Sequence, residues 1–254
     1  MPSVAKMKPR KKIPAAEWEV RVDLAACYRL TAHYGMTDLA LTHISARVPD
    51  HPDHFLLNPY GLLFDEITAS SLVKIDMDGN VVEDSDYEVN RAGYVIHSAI
   101  LAARPEINCV LHTHTVPGMA VSAQAEGLLP LAQCSMRFFK RLAYHDFEGI
   151  SLDTDERSRL QTSLGDKYAM MLRNHGLLTA GRTVAEAWSL NWSLERACQV
   201  QVAAQGGNAT LSPAPDAVAE HTAQQMWRGN EPSGKREWPS LLRQLDRIDP
   251  SYRQ

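Results

Sequence analysis

The sequence predicts a three-layer α/β/α sandwich built on a mixed sheet. Three observations carry that prediction. Short strand-like runs early in the chain are joined by tight-turn signals, later strands alternate with helical stretches, and one of those later strands is apolar through its middle. Runs joined by tight turns pair antiparallel, whereas strands separated by helices suit crossovers, and a strand buried on both sides requires helices on both faces of the sheet.

The elements follow in order. Residues 16 to 34 read as a helix with Val20, Leu24, Cys27, Leu30 and Thr31 on one stripe, stopped before Gly35. Strand-like runs follow at Leu41 to Val48, Phe55 to Asn58 and Val73 to Asp76, and Asp78-Gly79 between Ile75 and Val81 is a hairpin turn signal. Residues 91 to 103 read as a helix with Tyr94, Val95, Ala99 and Ala102 inward, ended by Pro105, and the run Asn108 to Thr113 reads as the next strand. Helical stretches at 155 to 165 and 183 to 204 bracket a strand from Tyr168 to Arg173, whose Ala169-Met170-Met171-Leu172 core suits a central position.

With 254 residues, 44% of them hydrophobic, the chain can bury a sizeable core. The expected organisation is a basic flexible tail over 1–14, a compact domain over 15–206, and a Pro-rich linker with a helical tail over 207–254. Within that tail, residues 218 to 229 and 237 to 247 read as helices with Trp227, Trp238, Leu241, Leu242 and Leu245 on apolar faces, a form suited to docking on a neighbouring subunit. No run is long and apolar enough for a membrane span, and the first 20 residues lack an apolar signal core, so an unexported chain is expected. The net charge of -4 provides no basic field for nucleic acid. Cys27, Cys109, Cys134 and Cys198 lie far apart without a Cys-x-x-Cys pair, which predicts reduced thiols and a cytoplasmic location.

The residues richest in chemistry are histidines. Strand alternation puts His112 and His114 on one face, roughly 6 to 7 Å apart along the backbone, so both can reach one ion. Arg173-Asn174-His175-Gly176 stands at the end of a second buried strand, where Gly176 is expected to let the backbone reverse sharply and leave His175 projecting. Three imidazoles with an open fourth position form the donor set of a catalytic zinc site. A surface-turn histidine is the plainer reading of His175.

The sequence resembles the class II aldolase/adducin family over roughly residues 19 to 206. The resemblance rests on His112-Thr113-His114-Thr115, on Leu172 to Leu178, on the helix from Ala185 to Gln199, and on the spacing between them. It implies a central mixed, largely antiparallel sheet and one divalent metal per subunit on His112, His114 and His175. Zn²⁺ is the expected ion, and Fe²⁺, Mn²⁺ or Co²⁺ would also suit the set. It further implies a small-molecule substrate and a homotetramer with sites at subunit interfaces.

The family's sugar-phosphate aldolases carry an acid/base glutamate at the start of the helix before the His-x-His strand. Counting back from His97 places Gly93 there, and glycine has no side chain to exchange a proton. Their Ser-Ser pair is replaced by Arg91-Ala92, and their Gly-Asn-x-Ser loop by Thr42-His43-Ile44-Ser45. Arg91 either grips an acidic group, helped by the helix N-terminus, or faces solvent. Tyr60 and Gly61 fall where the family has a pocket loop, and with His43 and Arg91 complete the expected substrate-binding set. His145, oriented by Asp146, and Tyr144 are the candidate replacement proton carriers; the alternative is that they cap a loop. His97 is expected to be a core histidine, and His51 and His54 to be solvated.

The stretches Asn90 to Ile100, Gly127 to Pro130 and Tyr144 to Asp146 look closer to the adducin branch than to the sugar aldolases. Two readings stay open. In one, the chain is a metal-dependent carbon–carbon lyase of aldolase or decarboxylase type, acting on a small hydroxy, keto or acidic substrate without the usual glutamate. In the other, it is a non-catalytic, adducin-like assembly or binding protein with a structural metal. Oxygen chemistry on Fe²⁺ is a third possibility open to three histidines.

Overall fold

The computed structural model describes residues 13–149, 156–207, 209–227 and 232–254. Residues 1–12, most of the expected basic tail, lie outside the described residues. In chain order the elements are α1 (Ala15–His33), β1 (Ile44–Val48), β2 (His51–Leu57), β3 (Val73–Asp76), α2 (Arg91–Ala103), β4 (Cys109–Thr113), α3 (Val116–Ser122), α4 (Gln133–Met136) and β5 (Leu142–His145). They continue with α5 (Glu156–Leu164), β6 (Ala169–Leu172), β7 (Gly176–Gly181), α6 (Val184–Gln205), α7 (Asp216–Met226), α8 (Trp238–Ile248) and a closing 3-10 turn (Pro250–Arg253).

The seven strands form one sheet in the order β3-β2-β1-β4-β7-β6-β5. Every neighbouring pair is antiparallel except β5 and β6, which run parallel, so the sheet is mixed and largely antiparallel as expected. Alternation along the strands divides the core between two faces. Phe55 and Leu57 of β2 and Val110 of β4 join Ile96 and Ile100 of α2 and Leu160 and Leu164 of α5 on one face. Leu56, Cys109 and Leu111 join Leu24, Cys27 and Leu30 of α1 with Trp238 and Leu245 of α8 on the other. These are the two outer layers of an α/β/α sandwich.

The early strands depart from the expected bounds for local reasons. The segment before β1 turns at Asp38, where Leu41 N donates to Asp38 O at 2.9 Å, so the strand begins at Ile44 and not Leu41. β2 starts early because Val48 pairs with His51 across a tight hairpin, with Asp50 at φ 62, a conformation aspartate tolerates. The Asp78-Gly79 turn joins Ile75 and Val81 as an isolated antiparallel bridge, capped by the Asp76 carboxylate.

α1 also buries Arg21, which the apolar stripe conceals. It is satisfied by Glu17, the Leu72 carbonyl and Glu83, so no buried charge is left alone. The C-terminal helices pack onto the same chain: Trp227 and Trp238 are buried, Trp238 Nε1 donates to Asp23 at 2.9 Å, and the backbone of Ala69 and Ser70 donates to the Tyr252 and Gln254 carbonyls. Among the described residues no helix is long and apolar enough to cross a membrane.

Candidate metal centre

β4 and β7 build the centre. Their register pairs His112 with Leu178 and Thr113 with Leu177, which brings the start of β7 alongside the His-Thr-His segment. His175 immediately precedes β7, so the three imidazoles converge: their ring centroids stand 4.6 to 4.8 Å apart, and one nitrogen from each lies within 4.8 Å of the others.

The role expected of Gly176 is corrected by the backbone. The residue with positive φ is Asn174, at 55°, a conformation asparagine adopts more readily than most residues. Gly176 is needed for closeness instead. A Cβ there would lie 2.4 Å from the Thr113 carbonyl oxygen and 3.2 and 3.4 Å from the rings of His114 and His112.

Two of the rings have their tautomers set by acceptors. His112 Nδ1 stands 2.9 Å from the Leu177 carbonyl and His114 Nδ1 stands 3.1 Å from the Asp38 carboxylate. A carbonyl or carboxylate oxygen can only accept, so both Nδ1 atoms carry the proton and both Nε2 atoms present lone pairs. Those two Nε2 atoms face each other at 2.8 Å. Two lone pairs so close repel unless positive charge lies between them, and the donor set therefore fits a divalent cation. Burial, followed by the mutual repulsion of the imidazoles, lowers the pKa of His175 to about 4 and holds His112 well below the usual histidine value. Both are neutral near pH 7, the form that binds metal.

The other expected site residues divide into near and far. His145 is buried and lines a narrow recess with Phe147, Glu156 and His175, and Phe147 stands edge-on to His175 at 5.8 Å. The carboxylate beside His145 is Glu156 at 3.6 Å, not the expected Asp146, and its Nδ1 meets Ser163 at 2.9 Å. Tyr144 is its neighbour on β5 and so faces the other way. The Tyr144 hydroxyl accepts from Leu128 N at 3.0 Å beneath Gly127, and Arg173 lies over its ring at 4.4 Å. Tyr60 and Gly61 sit on an exposed turn with Gly61 at φ 95, and Arg91 opens α2.

His43 is tightly enclosed. It is 3% exposed, neither ring nitrogen has a hydrogen-bond partner, and burial together with His114 and His175 lowers its pKa to about 3. His97 is fully buried in the core, but the expected satisfied core histidine is only half satisfied: Nδ1 lies 2.6 Å from Ser45 Oγ and Nε2 has no hydrogen-bond partner. His51, Asp53 and His54 form a second, largely exposed group at the start of β2.

The model of the class II aldolase and adducin N-terminal domain matches residues 22–202. The chain belongs to the class II aldolase and adducin family. A protein named "Putative aldolase class 2 protein" from Pseudomonas aeruginosa is 50% identical over 247 residues, covering 96% of this chain and 95% of its own. Rat alpha-adducin is 39% identical over 248 residues, covering 90% of this chain, which spans only 33% of the adducin. Among solved structures, an aldolase II superfamily protein from Pseudomonas syringae has 53% identity and a TM-score of 0.91, covering 96% of this chain and 98% of that one. L-fuculose 1-phosphate aldolase from Glaciozyma antarctica has 28% identity and a TM-score of 0.83, with 97% of each chain covered.

In this class II aldolase and adducin chain, sequence reasoning missed the groups that orient His112 and His114. Asp38 lies in a turn 76 residues from His114, and the Leu177 carbonyl is a backbone group. Only a motif that included the Asp38 turn could have pointed to the first, and no side-chain signal exists for the second.

Proposed function

We propose that the protein is a metal-dependent carbon–carbon lyase of aldolase or decarboxylase type, acting on a small hydroxy, keto or acidic substrate. The observation that carries this reading is the pair of Nε2 lone pairs of His112 and His114, facing each other at 2.8 Å with His175 beside them. His112, His114 and His175 would hold one divalent ion, Zn²⁺ first among the candidates, with Fe²⁺, Mn²⁺ and Co²⁺ also accepted by three imidazoles. Such an ion would act as a Lewis acid, stabilising negative charge on a substrate oxygen as a carbon–carbon bond breaks.

The protein's own residues supply the rest. Asp38 and the Leu177 carbonyl fix the ligand tautomers, and the 52% exposed Phe147 flanks His175 at the mouth. His145, beside Glu156, is the candidate proton carrier nearest the triad, whereas Tyr144 is committed to the 127–128 turn. Arg91, at the first residue of α2, stands where a helix N-terminus favours an acidic group. With glycine at 93 a decarboxylation is favoured over aldol cleavage, because loss of CO₂ generates the carbanion without prior removal of a hydroxyl proton.

The four cysteines, all free and three of them buried, support a reducing, cytoplasmic setting, and the family relationship supports a homotetramer. Zn²⁺-loaded protein should release CO₂ or an aldehyde from at least one member of a panel of hydroxy, keto and aromatic acids, and His175→Ala should abolish that release. No turnover across the panel contradicts the reading. The 39% identity to alpha-adducin favours a second reading, a non-catalytic assembly protein with a structural metal. His175→Ala would then disrupt assembly, measured by size-exclusion chromatography with light scattering, with no activity to lose.

A further inference from the structure

Metal-binding side chains also gather at the other end of the sheet from the histidine triad. β1 and β4 pair Ile44 with Leu111, next to His112, so the start of β1 lies at the triad end and Val48 at the far end. The steps from Ile44 to Val48, at about 3.3 Å each, put roughly 13 Å of strand between the two ends. No single ion can serve both.

Register explains how His51, Asp53 and His54 meet. Arg47 pairs with Phe55 and Val48 with His51, so a single step along β1 spans the four from His51 to Phe55 along β2. Pro52, Asp53 and His54 therefore bulge away from β1, and β3 pairs with β2 only from His54 onward. In a regular strand His54 would face away from His51. In this bulge the two rings stack instead, with centroids 5.3 Å apart and planes 21° apart, and His54 Nε2 stands 3.7 Å from an Asp53 carboxylate oxygen. Arg47 donates to the Pro52 carbonyl and ties the bulge to β1. One ligand atom from each of His51, Asp53 and His54 lies within 4.8 Å of the others.

A cleft of about 800 Å³ opens beside this group, and His51 and His54 line it. Two of the cleft's carboxylates, Glu17 and Glu83, are ion-paired with Arg21 and Lys74 at 2.6 to 2.9 Å. Those acids already hold cations of the protein itself, whereas the imidazoles of His51 and His54 offer nitrogen lone pairs to an ion that arrives from solvent.

We propose that His51, Asp53 and His54 form a second divalent-cation site, which takes one Zn²⁺-like ion with water in its remaining positions. Two imidazoles and a carboxylate suit Zn²⁺, while Mg²⁺ and Ca²⁺ prefer oxygen donors throughout. The Asp53 side chain is 73% exposed and that of His54 24%, so ordering them costs more than in the buried triad and binding is weaker there. The site goes beyond the reaction proposed above and stands or falls separately from it.

The test is calorimetry on full-length protein that already carries one equivalent of Zn²⁺, titrated with further Zn²⁺. A second event near one ion per chain is expected, with a Kd on the order of 10 µM. His51→Ala/His54→Ala should weaken that event about tenfold or more. The same variant should keep the tight event and the melting temperature of the metal-free protein, because the replaced side chains are exposed or half-buried. Asp53→Asn should weaken the second event less, since an amide oxygen still coordinates. His112→Ala/His175→Ala should lose the tight event and keep the weaker one. An undiminished second event in His51→Ala/His54→Ala overturns the proposal, as binding to scattered surface groups would give. Absence of any second event in wild type overturns it too, and so does loss of the tight event in His51→Ala/His54→Ala. A wild type showing the weaker event alone would contradict the triad and still support this site.

Discussion

At the scale of residues, the centre depends on groups that do no chemistry themselves. Asp38 accepts from His114 Nδ1 at 3.1 Å and turns the opposite nitrogen toward His112. Asp38→Asn keeps the shape but removes the charge, and partners of this kind typically govern metal affinity by about 10- to 100-fold. The expected outcome is a weakening in that range, measured by competition with a chelator, with the folded fraction unchanged by circular dichroism. That His112, His114 and His175 stand together was legible because histidines in a His-x-His strand and before a glycine form a pattern. Asp38 was not, because a lone aspartate in a turn looks the same whether or not its side chain reaches a histidine 76 positions away. The purpose of Gly176 was misread for a related reason: sequence shows that a residue is glycine, but not whether the need is for φ or for room against Thr113.

At the scale of elements, strong periodicity marked its own bounds and short elements did not. α2 runs Arg91–Ala103 as expected, and α6, expected over 183 to 204, is found at Val184–Gln205, because the first ends before a proline and the second begins at a Thr183 cap. β5, four residues long, and β7, which follows β6 with only three residues between, were missed: their pairing with β6 and β4, not their own composition, makes them strands. α3 was missed because Pro117 and Gly118 read as a loop, although proline is acceptable in a first turn capped by Thr115.

The segments that lead into β1 and β7 also have a pH signature. Burial, with the neighbouring imidazoles, lowers the folded pKa values of His43 and His175 to about 3 and about 4, against an ordinary value of 6.5. The unfolded chain therefore binds more protons between those values, and stability rises with pH there. In metal-free protein the stabilisation is fully present above about pH 6.5 and is lost progressively as pH falls toward 4. Urea midpoints measured from pH 8 to pH 4 should fall along that window in wild type and fall less in His43→Ala/His175→Ala.

At the scale of the molecule, the mixed sheet presents its site at the strand ends where β1, β4 and β7 meet, with exposed Leu39 and Val116 close in sequence to Asp38 and His114, and exposed Phe147 beside His175. The C-terminal helices, whose apolar faces were legible but whose partner was not, are seated on the same chain: α8 and the closing turn on α1 through Trp238, Leu245 and Tyr252, and the end of α7 against the other core face through Trp227. Amphipathicity states that a face will be covered and is silent on what covers it. The central claim, one divalent ion on His112, His114 and His175, is tested most directly by metal analysis of protein purified without added metal or chelator, followed by Zn²⁺ titration calorimetry of the stripped protein. The account predicts a stoichiometry near one per chain in wild type and no tight binding in His112→Ala or His175→Ala; tight binding that survives both substitutions, or none in wild type, would contradict it.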